Sequence, residues 1–397
     1  MTIDFYAEAE ELFPYTQKLR RDFHMHPEIG FQEVRTSGIV AEELTKLGIE
    51  IATGVGKTGV VGLIEGSGPG PVVLLRFDMD ALPIDEETGA EYASLNPGVM
   101  HACGHDGHTA VGLTVAQILE KHKDEWAGTV KLVFQPAEEG LGGARAMVKD
   151  GVLTNPVPDF SLGMHVWNDQ PTGKIAATSG PMMAAAEMFR VTITGKGAHG
   201  ASPHLGKDPI LAAAQIITAL QSVVSRNVDP LETAVVSITA INGGTAFNVI
   251  PPAVELKGTI RTYLPEIREM VLRRVEEIIQ GVAEAMQCTA EVSIEDVTPA
   301  VINDSRLAKL MNNVRQEVLP GTEDISGLQT MGSEDMAYLM DEIPGCYIFV
   351  GSKNEEKDLI YGHHHPKFDF DEQALLQGVA LISASAVAVL NGGVPEE

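Results

Sequence analysis

Cysteine is scarce. The 397-residue chain holds three, Cys103, Cys288 and Cys346, an odd and thin count that argues against a disulfide framework and for a reducing compartment. Positive charge is scarce too: 28 Lys and Arg stand against 55 Asp and Glu, a formal net charge of −27. So acidic a surface repels phosphate and anionic lipid, which disfavours nucleic acid and membrane as partners and leaves a small molecule as the expected one. Met1 to Arg20 carry acids and no apolar leader core, and no run of about 18 apolar residues is evident, so the chain reads as soluble and cytoplasmic. Three signatures are also missing: Gly-x-Ser-x-Gly, His-Glu-x-x-His and Gly-x-x-x-x-Gly-Lys-Ser/Thr. Serine hydrolases, zincins and P-loop enzymes recede with them.

What is present is enough apolar residue, 44%, for two or three domains at roughly 150 residues each. Helical spacing runs from Glu8 to His26 and again from about Thr36 to Leu47, where Gly48 ends it. Strands are expected at Gly59–Glu65 and Val72–Phe77, with Gly66-Ser67-Gly68-Pro69-Gly70-Pro71 as a turn between them rather than a phosphate loop. A helix to about His122 and a strand over Gly128–Phe134 follow. This alternation suggests an α/β sheet with parallel strands, whose carboxyl ends are where ligands gather. The middle of the chain changes pattern. Strand Glu187–Gly195, a helix opened by Asp208-Pro209, strands Thr233–Ile241 and Ala253–Tyr263, a helix from Pro265 and strand Thr289–Glu295 give the order βαββαβ, a split βαβ unit. The reading is a discontinuous catalytic domain, 1–183 plus 297–397, with a smaller domain, 184–296, inserted.

Histidine, cysteine and acid cluster in short loops. In Met100-His101-Ala102-Cys103-Gly104-His105, Cys103 and His105 stand two apart in an extended segment, so their side chains leave one face and can converge on an ion; a buried thiol in a capping loop is the plainer alternative. Glu138-Glu139 follows a strand and Pro136. Adjacent carboxylates repel unless a cation or shared proton offsets them, and the pair permits a division of labour in which one holds a metal while the other takes a proton from water. A solvated acidic turn is the competing view. Asp78 and Asp80 share a face at the end of a strand and can brace a ligating imidazole, or merely cap a loop. His165 is expected to end a short strand, and His363-His364-His365 to lie in a late loop.

Arg76-Phe77-Asp78-Met79-Asp80-Ala81-Leu82-Pro83, Met100 to His108, Phe134-Gln135-Pro136-Ala137-Glu138-Glu139-Gly140 and Gly163-Met164-His165-Val166-Trp167 resemble the M20 metallopeptidase family. They most resemble its branch of hippurate hydrolases, N-acyl-amino-acid deacylases and indole-acetyl-amino-acid hydrolases. Gly195 to Gly200, Gly243 to Pro251 and His364 to Glu372 extend the likeness through nearly the whole chain. The resemblance implies a mixed-sheet, zinc-peptidase-like catalytic domain with an inserted ferredoxin-like βαββαβ lid and dimerisation domain. It also implies two divalent ions, Mn, Zn, Ni or Co, held by Cys103, His105, Glu139, His165 and His364. Glu138 matches the general base and Asp80 the carboxylate that orients a ligand or the base. His199 matches the histidine that reaches a neighbouring subunit's site to stabilise the oxyanion, and Asn248 and Arg261 match residues that hold substrate. Asn248 as a turn cap and Arg261 as a paired surface residue are the plain alternatives. Ser333 and His363 depart from the branch's commoner residues. The implied activity is hydrolysis of N-acyl amino acids by a homodimer or larger homo-oligomer. A carboxypeptidase or dipeptidase acting on short peptides is the alternative, and a metal-binding scaffold without catalysis a further one.

Overall fold

The computed structural model describes residues 3–395, which form two compact units. The first takes in the chain up to Met182, Ile302–Gln329 and the stretch from Asp335 onward; the second is Met183–Val301 with Thr330–Glu334. The chain begins with α1 (Phe5–Met25), α2 (Val34–Lys46), β1 (Glu50–Val55), β2 (Gly59–Glu65), β3 (Val72–Asp78), α3 (His105–Lys121), β4 (Thr129–Gln135), α4 (Gly143–Lys149), β5 (Phe160–Pro171), β6 (Lys174–Ala176) and β7 (Gly180–Met183). The second unit holds β8 (Ala185–Thr194), β9 (Ala198–His199), α5 (Pro209–Asn227), β10 (Ala234–Asn242), β11 (Val249–Ile250), β12 (Ala253–Thr262), α6 (Pro265–Ala285) and β13 (Thr289–Thr298). From β14 (Val301–Asn303) the chain returns through α7 (Ser305–Val318), β15 (Glu323–Asp324), α8 (Met336–Met340), β16 (Gly345–Lys353) and α9 (Gln373–Leu390).

The large sheet of the first unit runs β1-β2-β4-β3-β5-β16-β6-β15. It is mixed rather than parallel throughout: β3 lies parallel to β4 and β5, and β5 to β16, while β2 meets both β1 and β4 antiparallel. Helices α3 and α9 pack on β3 and β5, and Leu75, Phe77, Val111, Val115, Leu162, Met164, Val379 and Ile382 fill the layer between. The parallel strands bring their carboxyl ends to one edge, and the chemistry-bearing loops leave from it.

Three sequence expectations need correction here. Gly66–Pro71 is not a turn between paired strands, because β4 sits between β2 and β3 and takes an edge of each; the segment instead lies against the approach to β4, with Gly66 N–H bonded to Gly128 O and Ser67 N–H to Trp126 O. His165 does not end its strand. Arg76 pairs with Gly163, so β3 gives out near His165, but β16 carries β5 onward through Phe349 opposite His165. Helix α9 is long and apolar enough to cross a membrane by length and composition, although Gln377, Ser383 and Ser385 interrupt its apolar residues; most of it is buried in the first unit's core.

In the second unit the sheet order β10-β12-β8-β13 is antiparallel at every step. Alternation decides which face is covered: Phe189, Val191 and Ile193 from β8 and Val254, Leu256 and Ile260 from β12 point to α5 and α6. The Asp208 carboxylate accepts from Ile210 and Leu211 N–H, with Pro209 in the first turn, so α5 starts where its sequence signals. Thr330–Glu334 joins this unit by a parallel bridge of Thr330 to Met183 and by Ala184 N–H to Gly332 O, an addition that the sequence pattern did not signal.

Candidate metal and catalytic site

The site grows from the carboxyl edge of β3 and β4, from the middle of β5 and from the loop before α9. Gly104, at φ 92°, turns the chain between Cys103 and α3, and a side chain there would come within 2.4 Å of Val166 Cγ2. That turn lets Cys103 and His105 face the same space. Ala137, at φ 53°, makes the corresponding turn before Glu138 and Glu139. A non-glycine residue is strained in that conformation, and buried Glu33 holds it: one carboxylate oxygen accepts Ala137 N–H at 2.8 Å and the other the Thr58 hydroxyl at 2.6 Å. His364 takes a left-handed backbone too, φ 65°, with its N–H bonded to Ala102 O.

The hydrogen bonds to each imidazole show which nitrogen is left for a cation. His105 Nδ1 lies 3.0 Å from Asp80 O and 3.2 Å from Asp80 Oδ1, so its proton sits there and the Nε2 lone pair faces the site. His165 Nδ1 donates to Val166 O at 2.5 Å, leaving Nε2 3.5 Å from Cys103 Sγ. The other oxygen of Asp80 accepts Glu139 N–H at 3.0 Å, so a single carboxylate braces both His105 and the Glu139 backbone. His364 Nε2 comes within 3.3 Å of Glu139 Oε1.

Donor atoms of Cys103, His105 and His165 lie within 4.8 Å of one another, as do those of Cys103, Glu139 and His364 and those of His105, Glu138 and Glu139. The two groups that meet at Cys103 together contain the five metal ligands that the family resemblance implies. Buried His105 Nε2 has no hydrogen-bond partner among the described residues, a costly state that a cation would relieve. The donor set of one sulfur, three imidazoles and a carboxylate suits a pair of divalent ions.

Of Cys103, His105, His165 and His364, His165 alone is already in its ligating form; the others would give up a proton to such a load. Burial, then the Glu139 carboxylate, pushes the Cys103 thiol far above its usual range; a cation alongside would favour the thiolate. Burial holds His165 well below the usual imidazole range, and His108 adds to this, so its ring stays neutral as a ligand must. Burial works against charge on His105, but Asp78 and Asp80 outweigh it and hold that ring well above its usual range. Glu139 is the main cause of a raised His364. Its neighbour His363 is different: burial pushes it down to about 3, its Nε2 accepts Asn168 N–H at 3.2 Å, and its ring lies among Trp167, His165 and Phe368.

His199, Asn248 and Arg261 belong to the second unit. Strands β9 and β11 pair His199 with Val249, and Gly200 N–H bonds to Asn248 O, so His199 and Asn248 share one exposed ribbon. Arg261 sits on β12, with Nη1 donating to Thr259 Oγ1 and Ile260 O. Sequence reasoning passed over Glu33, which carries no motif, and His108, which stands three residues after His105 on one helix face and was visible in that spacing. It quoted Arg76 but gave it no role; in the fold Arg76 Nη1 donates to Asp78 Oδ2 at 2.7 Å.

Residues 74–387 match the model of peptidase family M20/M25/M40. Among curated relatives, IAA-amino acid hydrolase ILR1-like 5 of Arabidopsis thaliana is 41% identical over 97% of this chain and 88% of its own. N-acetylcysteine deacetylase of Bacillus subtilis is 41% identical over 94% and 96%, and thermostable carboxypeptidase 1 of Saccharolobus solfataricus 39% over 97% and 98%. Among solved structures, the Bacillus subtilis YXEP protein, described as a dinuclear metal-binding peptidase of the M20 family, superposes with a TM-score of 0.85 at 37% identity, covering 96% of this chain and 99% of that one.

Proposed function

Since the chain belongs to peptidase family M20/M25/M40 and is a hydrolase of amide carbon–nitrogen bonds, we propose that it acts on N-acyl amino acids, releasing a carboxylic acid and a free amino acid. The observation that carries the reading is the carboxylate pair: Glu139 stands among the metal donors, while Glu138 reaches the same space beside His105. Cys103, His105, Glu139, His165 and His364 would hold two divalent ions, and the sulfur of Cys103 favours Zn, Ni or Co over Mn. When bound, the ions supply Lewis-acid polarisation of the amide carbonyl and acidify water. Glu138 takes the proton from the attacking water and returns it to the departing nitrogen, which would otherwise leave as a strongly basic anion. Asp335 N–H, 3.3 Å from Glu138 Oε1, helps to aim that carboxylate.

His199 is assigned to the oxyanion of a neighbouring subunit's substrate, which requires at least a homodimer. Its Nδ1 accepts Ala201 N–H at 3.0 Å, so the proton lies on Nε2, the tautomer that can donate to an oxyanion. Asn248 and Arg261 are assigned to substrate, with Arg261 taking the free carboxylate of the amino acid by paired hydrogen bonds. The sparse cysteines fit a reducing, cytoplasmic setting. A second reading, cleavage of short peptides from the carboxyl end, is favoured by the name of the Saccharolobus relative. A panel of hippurate, N-acetyl amino acids and dipeptides separates the two. Deacylation at higher kcat/KM than any dipeptide supports the first reading; the reverse order supports the second and overturns the first.

A further inference from the structure

The ring of buried His108 is used twice, and neither use is ligation. Nδ1 lies 2.6 Å from Asp78 Oδ1, and Nε2 accepts Val166 N–H at 2.9 Å. An N–H aimed at Nε2 occupies the lone pair that a cation would need, while Asp78 keeps the proton on Nδ1. Although Asp78, His105 and His108 stand close enough together to hold an ion, His108 is closed to one. Asp78 is committed as well, with His108 on one oxygen and Arg76 on the other.

The relay ends beside the site. Val166 takes its N–H to His108 and its carbonyl to His165 Nδ1, and His165 Nε2 then lies 3.5 Å from Cys103 Sγ. The His108 and His165 rings meet edge to face, their centroids 4.6 Å apart and their planes at 74°. Gly104 also closes on Val166, where a side chain would come within 2.4 Å of Val166 Cγ2.

We propose that His108 is a positioning residue of the metal site: it anchors Val166 and thereby aims the His165 imidazole at the ion that Cys103 shares, with Asp78 and Arg76 holding the far end. The proposal rests on the reading of His165 and Cys103 as ligands. It is tested by titrating apo-protein with Co²⁺ and following the visible ligand-field and thiolate charge-transfer bands, a readout independent of turnover. Wild type is expected to take up two equivalents per chain. His108→Leu, which keeps bulk but neither hydrogen bond, is expected to bind at least one equivalent about 10–100-fold more weakly, with a displaced ligand-field band. His108→Gln places an amide oxygen near the Nε2 position and is expected to recover most of the affinity; His108→Asn reaches only toward Asp78 and is not. If His108→Leu does not fold, the Gln and Asn variants decide alone. Wild-type affinities and spectra in every folded variant overturn the role of His108 while leaving the metal site intact. A wild-type protein that takes up no Co²⁺ overturns the ligand reading and this proposal with it.

Discussion

Glu138 and Glu139 are neighbours in sequence to which the proposed reaction gives separate duties, and substitution tells them apart. Glu138→Ala removes the group that carries the proton but none of the five donors, so kcat is expected to fall by about 10²–10⁴-fold while metal content, measured by elemental analysis, holds; retained turnover would contradict the role. Cys103→Ala removes the donor common to both ligand groups, and its metal content is expected to drop; unchanged content would take Cys103 out of the ligand set. Away from this chemistry, buried His24 faces Asp106 at 2.8 Å and Glu86 at 3.3 Å, with Arg20, Tyr92 and His101 around them. Burial alone would lower its pKa, but Asp106 and Glu86 raise it from 6.5 to about 9. A folded pKa above the unfolded one stabilises fully below 6.5 and is lost as pH rises through about 9. The thermal midpoint of wild type is therefore expected to fall more steeply across that window than that of His24→Gln, and equal slopes would contradict the ion pairing. The five proposed donors could be named from the sequence because each stands in a short motif that carries the family resemblance. Glu33 and Arg76 escaped because their partners, Ala137 and Asp78, acquire meaning only in the fold; His108 was visible in its spacing from His105, but its partner Val166 was not.

At the scale of elements, the segment from β4 to α4 is one part under strain. Its left-handed Ala137 is tied across the fold to the residue that precedes α2. Glu33→Ala leaves the half-buried Thr58 hydroxyl and the buried Ala137 N–H without this partner, and the buried N–H left unmade costs about 1–3 kcal/mol. A lower urea midpoint together with a lower kcat is expected, since the turn that aims Glu138 relaxes; a lower midpoint with wild-type kcat would show that Glu33 serves stability alone. Helices were the most legible elements, since Asp208-Pro209 and Gly48 mark their ends. Strand partners were the least legible. Nothing local to Gly66–Pro71 says that β4 will enter between β2 and β3, and nothing within β5 says that β16 will extend it beyond His165.

For the whole molecule, the βαββαβ order was readable because alternation and proline-opened helices repeat within one continuous stretch, whereas Thr330–Glu334 reaches the second unit from about thirty residues beyond Val301 and so left no periodic trace. The net charge of −27 is compatible with bound divalent cations and with the small substrate proposed. Both units are needed for the proposed reaction, the first for the metals and Glu138, the second for His199, Asn248 and Arg261. The most direct measurement is the rate of N-acyl-amino-acid hydrolysis by chelator-treated protein as Zn²⁺, Co²⁺, Ni²⁺ or Mn²⁺ is returned in counted equivalents. Turnover absent in chelator and rising to a plateau at two equivalents per chain, the dinuclear state described for the Bacillus subtilis structure, is the predicted result. Full turnover in chelator, or protein carrying two ions per chain that hydrolyses no N-acyl amino acid, would contradict it.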